Sequence, residues 1–251
     1  MKIAISGKGG VGKTTVAANI ARLFASHGYK VYAVDADPDS SLGTALGISD
    51  EQLATVNPVI EMQKVIAERS GGGAFYTLNP EVDDILDEYS IQLDNIHFFR
   101  MGGVKQGGSA CYCRENTFLH AIVDALLLGK QDMVVLDMGA GIEHLTRGTS
   151  KGVDVMLIVT EPSKNSVHTA KVVKQLAIEL GIKNIKIIGN KIRGSKDEVF
   201  LQSQFSPNEL IGMLPFDEEV LEAAMEGPVD SAKNRPWGSE IESIYNRIVC
   251  P

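Results

Sequence analysis

The sequence predicts an α/β fold, a doubly wound and mostly parallel sheet flanked by helices. Three observations predict it. Short apolar runs with strand character alternate with longer helical patterns along the 251 residues. The first apolar run passes directly into a glycine loop and an Ala-rich helix. Aspartates stand at the ends of two later runs, and the carboxyl ends of parallel strands are where such sheets bind ligands.

The overall composition indicates one soluble globular unit. Hydrophobic residues make up 44% and charged residues 22% of the chain, so we expect a single domain over residues 1–251. The net charge of −8 argues against nonspecific nucleic-acid binding, which needs a positive surface. No apolar run reaches the roughly 18 residues of a membrane span, and no signal peptide is apparent. We therefore expect a cytoplasmic protein with no nucleic-acid and no membrane partner.

The glycine loop at residues 7–12 is the feature around which the chain is organised. Gly7, Gly12, Lys13 and Thr14 satisfy the pattern G-x-x-x-x-G-K-[ST], and a strand over residues 2–6 precedes them. In such a loop the backbone N–H groups approach phosphate oxygens, the lysine reaches the β- and γ-phosphates and the threonine ligates Mg²⁺. The residues expected to contact the nucleotide are Gly9, Gly10, Val11, Gly12, Lys13, Thr14 and Thr15.

The next elements continue the alternation. A helix over residues 14–27 ends at Gly28, and a strand over residues 30–37 closes with two carboxylates, Asp35 and Asp37. Residues 42–73 look helical in two pieces broken at residues 57–58, and residues 95–100 look like a strand. This middle part shows no phosphate chemistry, so we expect it to concern partners or cargo.

A pair of cysteines marks the second unusual stretch, MGGVKQGGSACYCR at about residues 101–114. Cys111 and Cys113 follow a Gly-rich approach and precede a helix over residues 115–128, a setting that favours thiolate over thiol. Three interpretations remain open: a metal site, a strained redox pair and two inert cysteines. We favour a metal site, since thiolates select soft metals such as Ni²⁺, Zn²⁺, Cu(I) or iron–sulfur clusters.

One C-x-C supplies only two thiolates, whereas closed soft-metal sites usually have four ligands. Cys111 and Cys113 from each of two chains, placed on a two-fold axis, would complete the set. The spacing therefore predicts a homodimer that shares one metal ion. Residue spacing does not choose among the soft metals.

A buried strand over residues 132–138 ends in Asp137, the expected position of a carboxylate that holds Mg²⁺ through water. The glycines directly after it, Gly139 and Gly141, give a loop able to respond to the γ-phosphate. His144 in the same stretch is expected to pack rather than catalyse. Further strands are predicted over residues 153–161, 184–191 and 209–216, with helices over residues 163–180 and 239–249. The last helix carries one apolar stripe and is expected to dock on the core.

The loop GKGGVGKT contains a second lysine, Lys8, and resembles the deviant Walker A motif of the ParA/MinD/NifH family of P-loop ATPases. The resemblance covers nearly the whole chain and implies hydrolysis of ATP to ADP with Mg²⁺. It implies that Lys8 crosses a dimer interface to the partner's nucleotide. It also implies that Asp37 orients the attacking water and that Asp35 lies near the Mg²⁺ shell, with Lys8, Lys13, Asp37 and Asp137 as the catalytic set.

The resemblance also implies how the base is bound. Asn190 corresponds to a residue that hydrogen-bonds the adenine edge, and Pro215 and Asp217 belong to the loop beside the adenine. A guanine-specific N-K-x-D motif would place Asp at position 193, where this chain has Arg193. ATP is therefore favoured over GTP.

Within this family, the C-x-C, the stretch MGAGIEH and the lack of a membrane-binding tail are similar to the nickel-insertion accessory ATPases of carbon monoxide dehydrogenase. That similarity implies a dimer, promoted by nucleotide or metal, that delivers nickel (or binds zinc) through Cys111 and Cys113 to that client. Two alternatives remain open. One is an iron–sulfur cluster carrier, although such carriers prefer C-x-x-C. The other is a positioning ATPase of the ParA/MinD kind with incidental cysteines.

Overall fold

The computed structural model describes residues 1–37, 39–56, 58, 64, 68, 88–102, 121–123, 125–126, 133–142, 145, 149–220, 222 and 237–249. Within them, eight strands form one sheet. In chain order the strands are β1 (Lys2–Gly7), β2 (Val31–Ala36), β3 (Ile91–Leu93), β4 (Ile96–Arg100), β5 (Met133–Met138), β6 (Val155–Thr160), β7 (Ile185–Ile192) and β8 (Leu210–Pro215).

The strand order across the sheet is β3-β4-β2-β5-β1-β6-β7-β8. Only the pairing of β3 with β4 is antiparallel, and every other pair is parallel. The helices of the described residues are α1 (Lys13–Ser26), α2 (Leu42–Ala45), α3 (Asp50–Thr55), α4 (Lys164–Glu179), α5 (Ser195–Gln204) and α6 (Gly238–Val249), with a 3₁₀ turn at Thr149–Gly152. The prediction of a doubly wound, mostly parallel sheet is confirmed.

Helices cover both faces of the sheet because alternate strand residues point to opposite sides. In β1, Ile3 and Ile5 join the core cluster that includes the buried residues of α1, α2 and α6, whereas Ala4 joins the cluster that includes those of α4 and α5. Residues 121–123 and 125–126 are helical, and Ile122, Val123 and Leu126 belong to the second cluster.

The insertion of β5 between β1 and β2 brings the predicted site together. Asp137 on β5 is in register with Ile5 on β1 and with Asp35 on β2. The chain leaves β1 toward β2 on one side and later adds β6 on the other side. Strand order thus reverses next to the glycine loop, and such a crevice at the carboxyl ends of the strands is the ligand position in this kind of sheet.

Several predicted boundaries move by one or two residues, and three features differ in kind. The two short helices α2 and α3 are separated at Gly47 (φ 80°), so the first break after residue 42 comes ten residues before the predicted one. The hairpin strand β3 and the helix α5 were not predicted. The predicted elements at residues 59–63 and 103–120, which include Cys111 and Cys113, lie outside the described residues, as does His144.

The C-terminal helix α6 docks on the core as predicted. Ile241, Ile244 and Ile248 are buried, and Arg247 donates from Nη1 to the carbonyl of Ile211 on the edge strand β8 at 3.1 Å. In the part of the chain that the structure describes, no helix has the length and apolar character required to cross a membrane.

Candidate functional site

The glycine loop between β1 and α1 has positive φ angles at three glycines, Gly7, Gly10 (φ 78°) and Gly12, and at two of them a side chain would also clash. Gly7 has φ 150° and Gly12 has φ 92°. A Cβ on Gly7 would lie 2.2 Å from the carbonyl oxygen of Val159, and one on Gly12 would lie 2.3 Å from Asn190 Nδ2. Both glycines of the motif are therefore required by close contacts with β6 and β7, in addition to their dihedral angles.

Lys13 opens helix α1 and is almost fully buried, with 6% of its surface exposed. Its Nζ donates to the carbonyl of Lys8 at 3.4 Å, across the base of the loop. Thr14, the next residue, accepts a hydrogen bond from Ser41 Oγ at 3.2 Å. The loop, its lysine and its threonine thus have the arrangement expected of a phosphate-binding loop at a helix N-terminus.

Asp137 at the end of β5 is fully buried, and no hydrogen bond of normal geometry reaches its carboxylate oxygens from the described residues, although the Thr14 hydroxyl lies close enough to lower its pKa. Burial raises the pKa of Asp137 to about 7, and the charges of Asp35 and Asp37 add to this rise. The Thr14 hydroxyl and the Lys13 ammonium oppose it. A buried carboxylate without a partner, close to a threonine hydroxyl, fits a site that Mg²⁺ completes.

Asp35 lies beside Asp137 but is used differently. Its Oδ2 accepts from Ser40 Oγ at 2.8 Å and from the N–H of Leu42 at 3.0 Å, and its Oδ1 accepts from the N–H of Asp37 at 3.2 Å. Burial raises the pKa of Asp35, and these hydrogen bonds oppose the rise. Both oxygens therefore serve the turn after β2, and the place of Asp35 near the Mg²⁺ shell stays a prediction.

Asp37 is half-buried and lines the cavity in front of the glycine loop. Its Oδ1 accepts from the N–H of Asp39 at 3.1 Å. The sequence analysis predicts that this carboxylate orients the attacking water. The role of Asp37 remains a prediction, and its position at the cavity wall is compatible with it.

The loop after β5 is attached to the strand that carries the glycine loop. The buried hydroxyl of Ser6, at the end of β1, donates to the carbonyl of Gly141 at 2.8 Å, and the carbonyl of Gly139 lies 3.4 Å away. Ser6 was not identified from the sequence, because it lies in an apolar run and one serine carries no pattern.

One cavity of about 400 Å³ contains most of the predicted nucleotide residues. Among its walls are the glycine loop, the turn after β2, the C-terminal end of β7 and the loop that follows β8. The described residues that line it are Gly9, Gly10, Gly12, Lys13, Thr14, Thr15, Asp37, Asp39, Ser41, Asn190, Lys191, Pro215, Phe216, Asp217, Val220 and Trp237. A larger cavity of about 730 Å³ between α5, β8 and α6 contains no predicted site residue.

The far end of this cavity has an aromatic and apolar wall suited to a base. Phe216 and Trp237 both line it, and Trp237 Nε1 donates to the carbonyl of Pro215 at 3.0 Å. Arg193 lies over the Phe216 ring, with its guanidinium carbon 4.2 Å from the ring centre. Trp237 was missed by the sequence reasoning, although its status as the one tryptophan of the chain was a usable signal.

Asn190 is buried and is used within the protein. Its Nδ2 donates to the carbonyl of Val11 at 2.8 Å, and its Oδ1 accepts from the N–H of Lys191 at 2.8 Å. Asn190 nevertheless lines the cavity. The observed contacts hold the glycine loop against β7, and the predicted hydrogen bond to adenine would use the remaining amide hydrogen.

Lys8 and the cysteines are the predicted site residues that the cavity does not account for. Lys8 is half-exposed and is not among the described residues that line it. Cys111 and Cys113 lie outside the described residues. Among the residues that are described, no group of three or more His, Cys, Asp or Glu side chains is arranged to hold a metal ion.

Comparison with known proteins decides the family. A family model for the CobQ/CobB/MinD/ParA nucleotide binding domain matches residues 2–229. The chain belongs to this family. It is an ATPase of the P-loop class, with ATP as substrate, ADP as product and Mg²⁺ as cofactor. The family resemblance inferred from its motifs is confirmed.

Two relatives and one solved structure illustrate the likeness. An uncharacterized ATP-binding protein of Methanocaldococcus jannaschii is 40% identical over an alignment of 257 positions, which spans 99% of this chain and 98% of that protein. The carbon monoxide dehydrogenase accessory protein CooC of Rhodospirillum rubrum is 38% identical over 231 residues, which cover 90% of this chain and 88% of that protein. A ParA family ATPase of Chlorobium tepidum has the same fold, with a TM-score of 0.70, 19% identity and coverage of 99% and 97%.

Proposed function

We propose that this ATPase uses Mg-ATP to form a dimer that binds Ni²⁺ or Zn²⁺ through Cys111 and Cys113 of both chains and assists nickel insertion into carbon monoxide dehydrogenase. The observation that carries the proposal is the 38% identity, over 90% of the chain, to a protein whose name states that it is an accessory protein of that enzyme. The C-x-C supplies the soft ligands that such a cargo needs.

The nucleotide half of the mechanism follows from the cavity. The loop N–H groups and Lys13 bind the phosphates, and Asp37 at the cavity wall orients water for attack on the γ-phosphate. Mg²⁺, held by Thr14 and through water by Asp137, would supply positive charge next to the phosphate oxygens. Lys8, which is half-exposed and is not among the described residues that line its own cavity, acts on the nucleotide of the partner subunit.

The described contacts support a coupling between nucleotide and cysteines. The N–H of Met101, ten residues before Cys111, donates to the carbonyl of Asp35 at 2.9 Å. On the other side of the cysteines, Ile122 belongs to the same buried core cluster as Met101. Met101, which precedes the segment with the cysteines, is thus bonded to the end of β2, directly before the turn that lines the nucleotide cavity.

The loop after β5 shares the same core. Ile142 and Leu145, which follow Asp137 in the chain, lie in the cluster that contains Met101 and Ile122. A packed cluster of this kind transmits a displacement because it has little free volume. We infer that the loss of the γ-phosphate relaxes the loop after Asp137 and thereby opens the thiolate site, which releases the metal to the client.

The test is the metal stoichiometry per chain, with Ni²⁺ and Zn²⁺ offered separately under reducing conditions. The wild type is compared with the double variant Cys111→Ser/Cys113→Ser and with Cys250→Ser, a matched control that removes the third cysteine of the chain. Light scattering on the same samples gives the molecular mass. We expect half a metal per chain in a dimer, lost in the double variant and unchanged in the control.

Other results have definite meanings. Metal that remains bound in the double variant would contradict a thiolate site. A stoichiometry of one metal per chain in a monomer would contradict the shared interfacial site. Brown colour after anaerobic reconstitution with iron and sulfide, without binding of Ni²⁺ or Zn²⁺, would replace the nickel assignment by the iron–sulfur carrier.

A further inference from the structure

Three carbonyl oxygens of the glycine loop each accept a hydrogen bond from a side-chain nitrogen. The carbonyl of Gly10 accepts from Lys191 Nζ at 2.6 Å, and that of Val11 accepts from Asn190 Nδ2 at 2.8 Å. The carbonyl of Lys8 accepts from Lys13 Nζ at 3.4 Å. Two of the three donors come from β7, outside the loop motif.

These bonds bear on phosphate binding because the C=O and N–H of one peptide group point in opposite directions. A carbonyl held toward β7 turns the N–H of the next residue away from β7. The contacts of Lys191 and Asn190 therefore fix the peptide groups that carry the N–H of Val11 and of Gly12, of which the Val11 N–H makes a long hydrogen bond of 3.5 Å to the carbonyl of Lys8. A loop whose peptide groups are already fixed loses less conformational freedom when it binds phosphate.

Lys191 has features that a solvated surface lysine lacks. It lines the nucleotide cavity, and its Nζ lies 4.0 Å from Glu161 Oε2, at the end of β6. Glu161 in turn accepts a hydrogen bond from Ser163 Oγ at 3.4 Å. The backbone of Lys191 has φ 60°, a conformation that favours glycine or asparagine and that is retained by other residue types mostly where they serve a function.

We propose that Lys191 is a positioning residue for nucleotide binding, which acts with Asn190 to hold the peptide groups of Gly10 and Val11 in the orientation that receives the β-phosphate. Lys191 acts through the loop and not through contact with the reacting atoms. The proposal rests on the nucleotide site of the proposed function and is independent of the metal site, so the metal stoichiometry experiment does not decide it.

The test compares Lys191→Met, which removes the charge, with Lys191→Gly, which removes the side chain and relieves the positive φ. Lys174→Met is the matched control, because Lys174 also bonds an acceptor on a neighbouring element, Glu209, but does not line the cavity. Dissociation constants are measured for MgADP and for a nonhydrolysable MgATP analogue. KM, kcat and the thermal midpoint are measured on the same samples.

We expect both Lys191 variants to bind both nucleotides about tenfold more weakly, the loss typical of one charged hydrogen bond. KM should rise by the same factor while kcat stays within about threefold, since the loop contacts ground state and transition state alike. The thermal midpoint of Lys191→Gly should equal or exceed that of the wild type, and the control should match the wild type in affinity.

Wild-type affinity in either Lys191 variant would overturn the proposal. So would a fall in kcat at unchanged KM, which would make Lys191 a catalytic residue. A loss of affinity that follows a lowered thermal midpoint in both variants would show a general structural role and would overturn it as well.

Discussion

Asp137 combines three properties that are costly together. It is acidic, it is fully buried, and its oxygens accept no hydrogen bond from the described residues. Its neighbour Asp35 is equally buried but has three donors. The two carboxylates are in register on adjacent strands but differ in their contacts, and the lack of donors at Asp137 supports the prediction that it holds Mg²⁺.

The raised pKa of Asp137 predicts a pH-dependent stability in the absence of Mg²⁺ and nucleotide. Between about pH 4 and 7, the folded state holds a proton that the unfolded state has lost, since burial raises the pKa of Asp137 from 3.8 to about 7. The free energy of unfolding should therefore fall as pH rises through this window, by about 4 kcal/mol at most from this group. Urea unfolding in a chelator at pH 5 and pH 8 measures it.

Asp137→Asn is the matched variant for this prediction. It should be less sensitive to pH than the wild type and more stable at pH 8, while the remaining pH dependence reflects Asp35, whose pKa burial also raises. Equal pH dependence in wild type and variant would contradict the assignment. The variant should also lose Mg²⁺-dependent nucleotide binding.

The functional residues of the glycine loop were predictable because the phosphate-binding motif has a fixed spacing. Gly7, Gly12 and Lys13 follow from the motif alone, and the structure adds the contacts with Val159 and Asn190 that make the glycines necessary. The contributions of Ser6 and Lys191 depend on which strands are neighbours. No spacing in the sequence encodes that adjacency.

At the scale of elements, the loop after β5 is the part predicted to respond to the γ-phosphate, and Ser6 attaches it to β1. A hydroxyl has one hydrogen to donate, so Ser6 can hold only one carbonyl strongly, at present that of Gly141. Movement of this loop must break or exchange that bond. Ser6 therefore favours one position of the loop.

Ser6→Ala tests this attachment against Ser150→Ala as the matched control. Ser150 is also buried and donates to a backbone carbonyl, that of Leu180 at 2.7 Å, but this carbonyl lies at the end of α4 and not in the loop after β5. Each variant should lose about 1 kcal/mol of stability. Only Ser6→Ala should change the ratio of affinities for the ATP analogue and ADP, by threefold or more. Equal ratios in both variants would contradict the attachment.

The central strands of the sheet were predictable and two peripheral elements were not. Buried parallel strands such as β5 and β6 read as continuous apolar runs bounded by polar residues. The strand β3 has three residues, too few to show a period. Helix α5 buries only Leu201, so it has no apolar stripe, and its helical state depends on its position beside β7 and β8.

At the level of the whole molecule, the proposed mechanism requires a dimer of two chains. Lys8 is half-exposed and outside its own cavity, and the two thiolates of one C-x-C leave a metal half-coordinated. Both features are satisfied by one two-fold interface.

Lys8→Ala should bind nucleotide with near wild-type affinity but should fail to dimerise with the ATP analogue, and its ATPase rate should fall at least tenfold. Lys13→Ala should lose nucleotide binding itself, because Lys13 serves its own cavity. Lys164→Ala, an exposed lysine at the start of α4, is the control and should behave as the wild type. Nucleotide-dependent dimers of Lys8→Ala, seen by light scattering, would contradict a role across the interface.

In the proposed mechanism, the state of the nucleotide controls the thiolate site. The most direct measurement is the affinity for Ni²⁺, by competition with a chromogenic chelator, in the presence of MgADP and of the nonhydrolysable MgATP analogue. The account predicts at least tenfold tighter binding with the ATP analogue and, by reciprocity, tighter binding of the analogue in the presence of Ni²⁺. The same affinity for Ni²⁺ in both nucleotide states would contradict it.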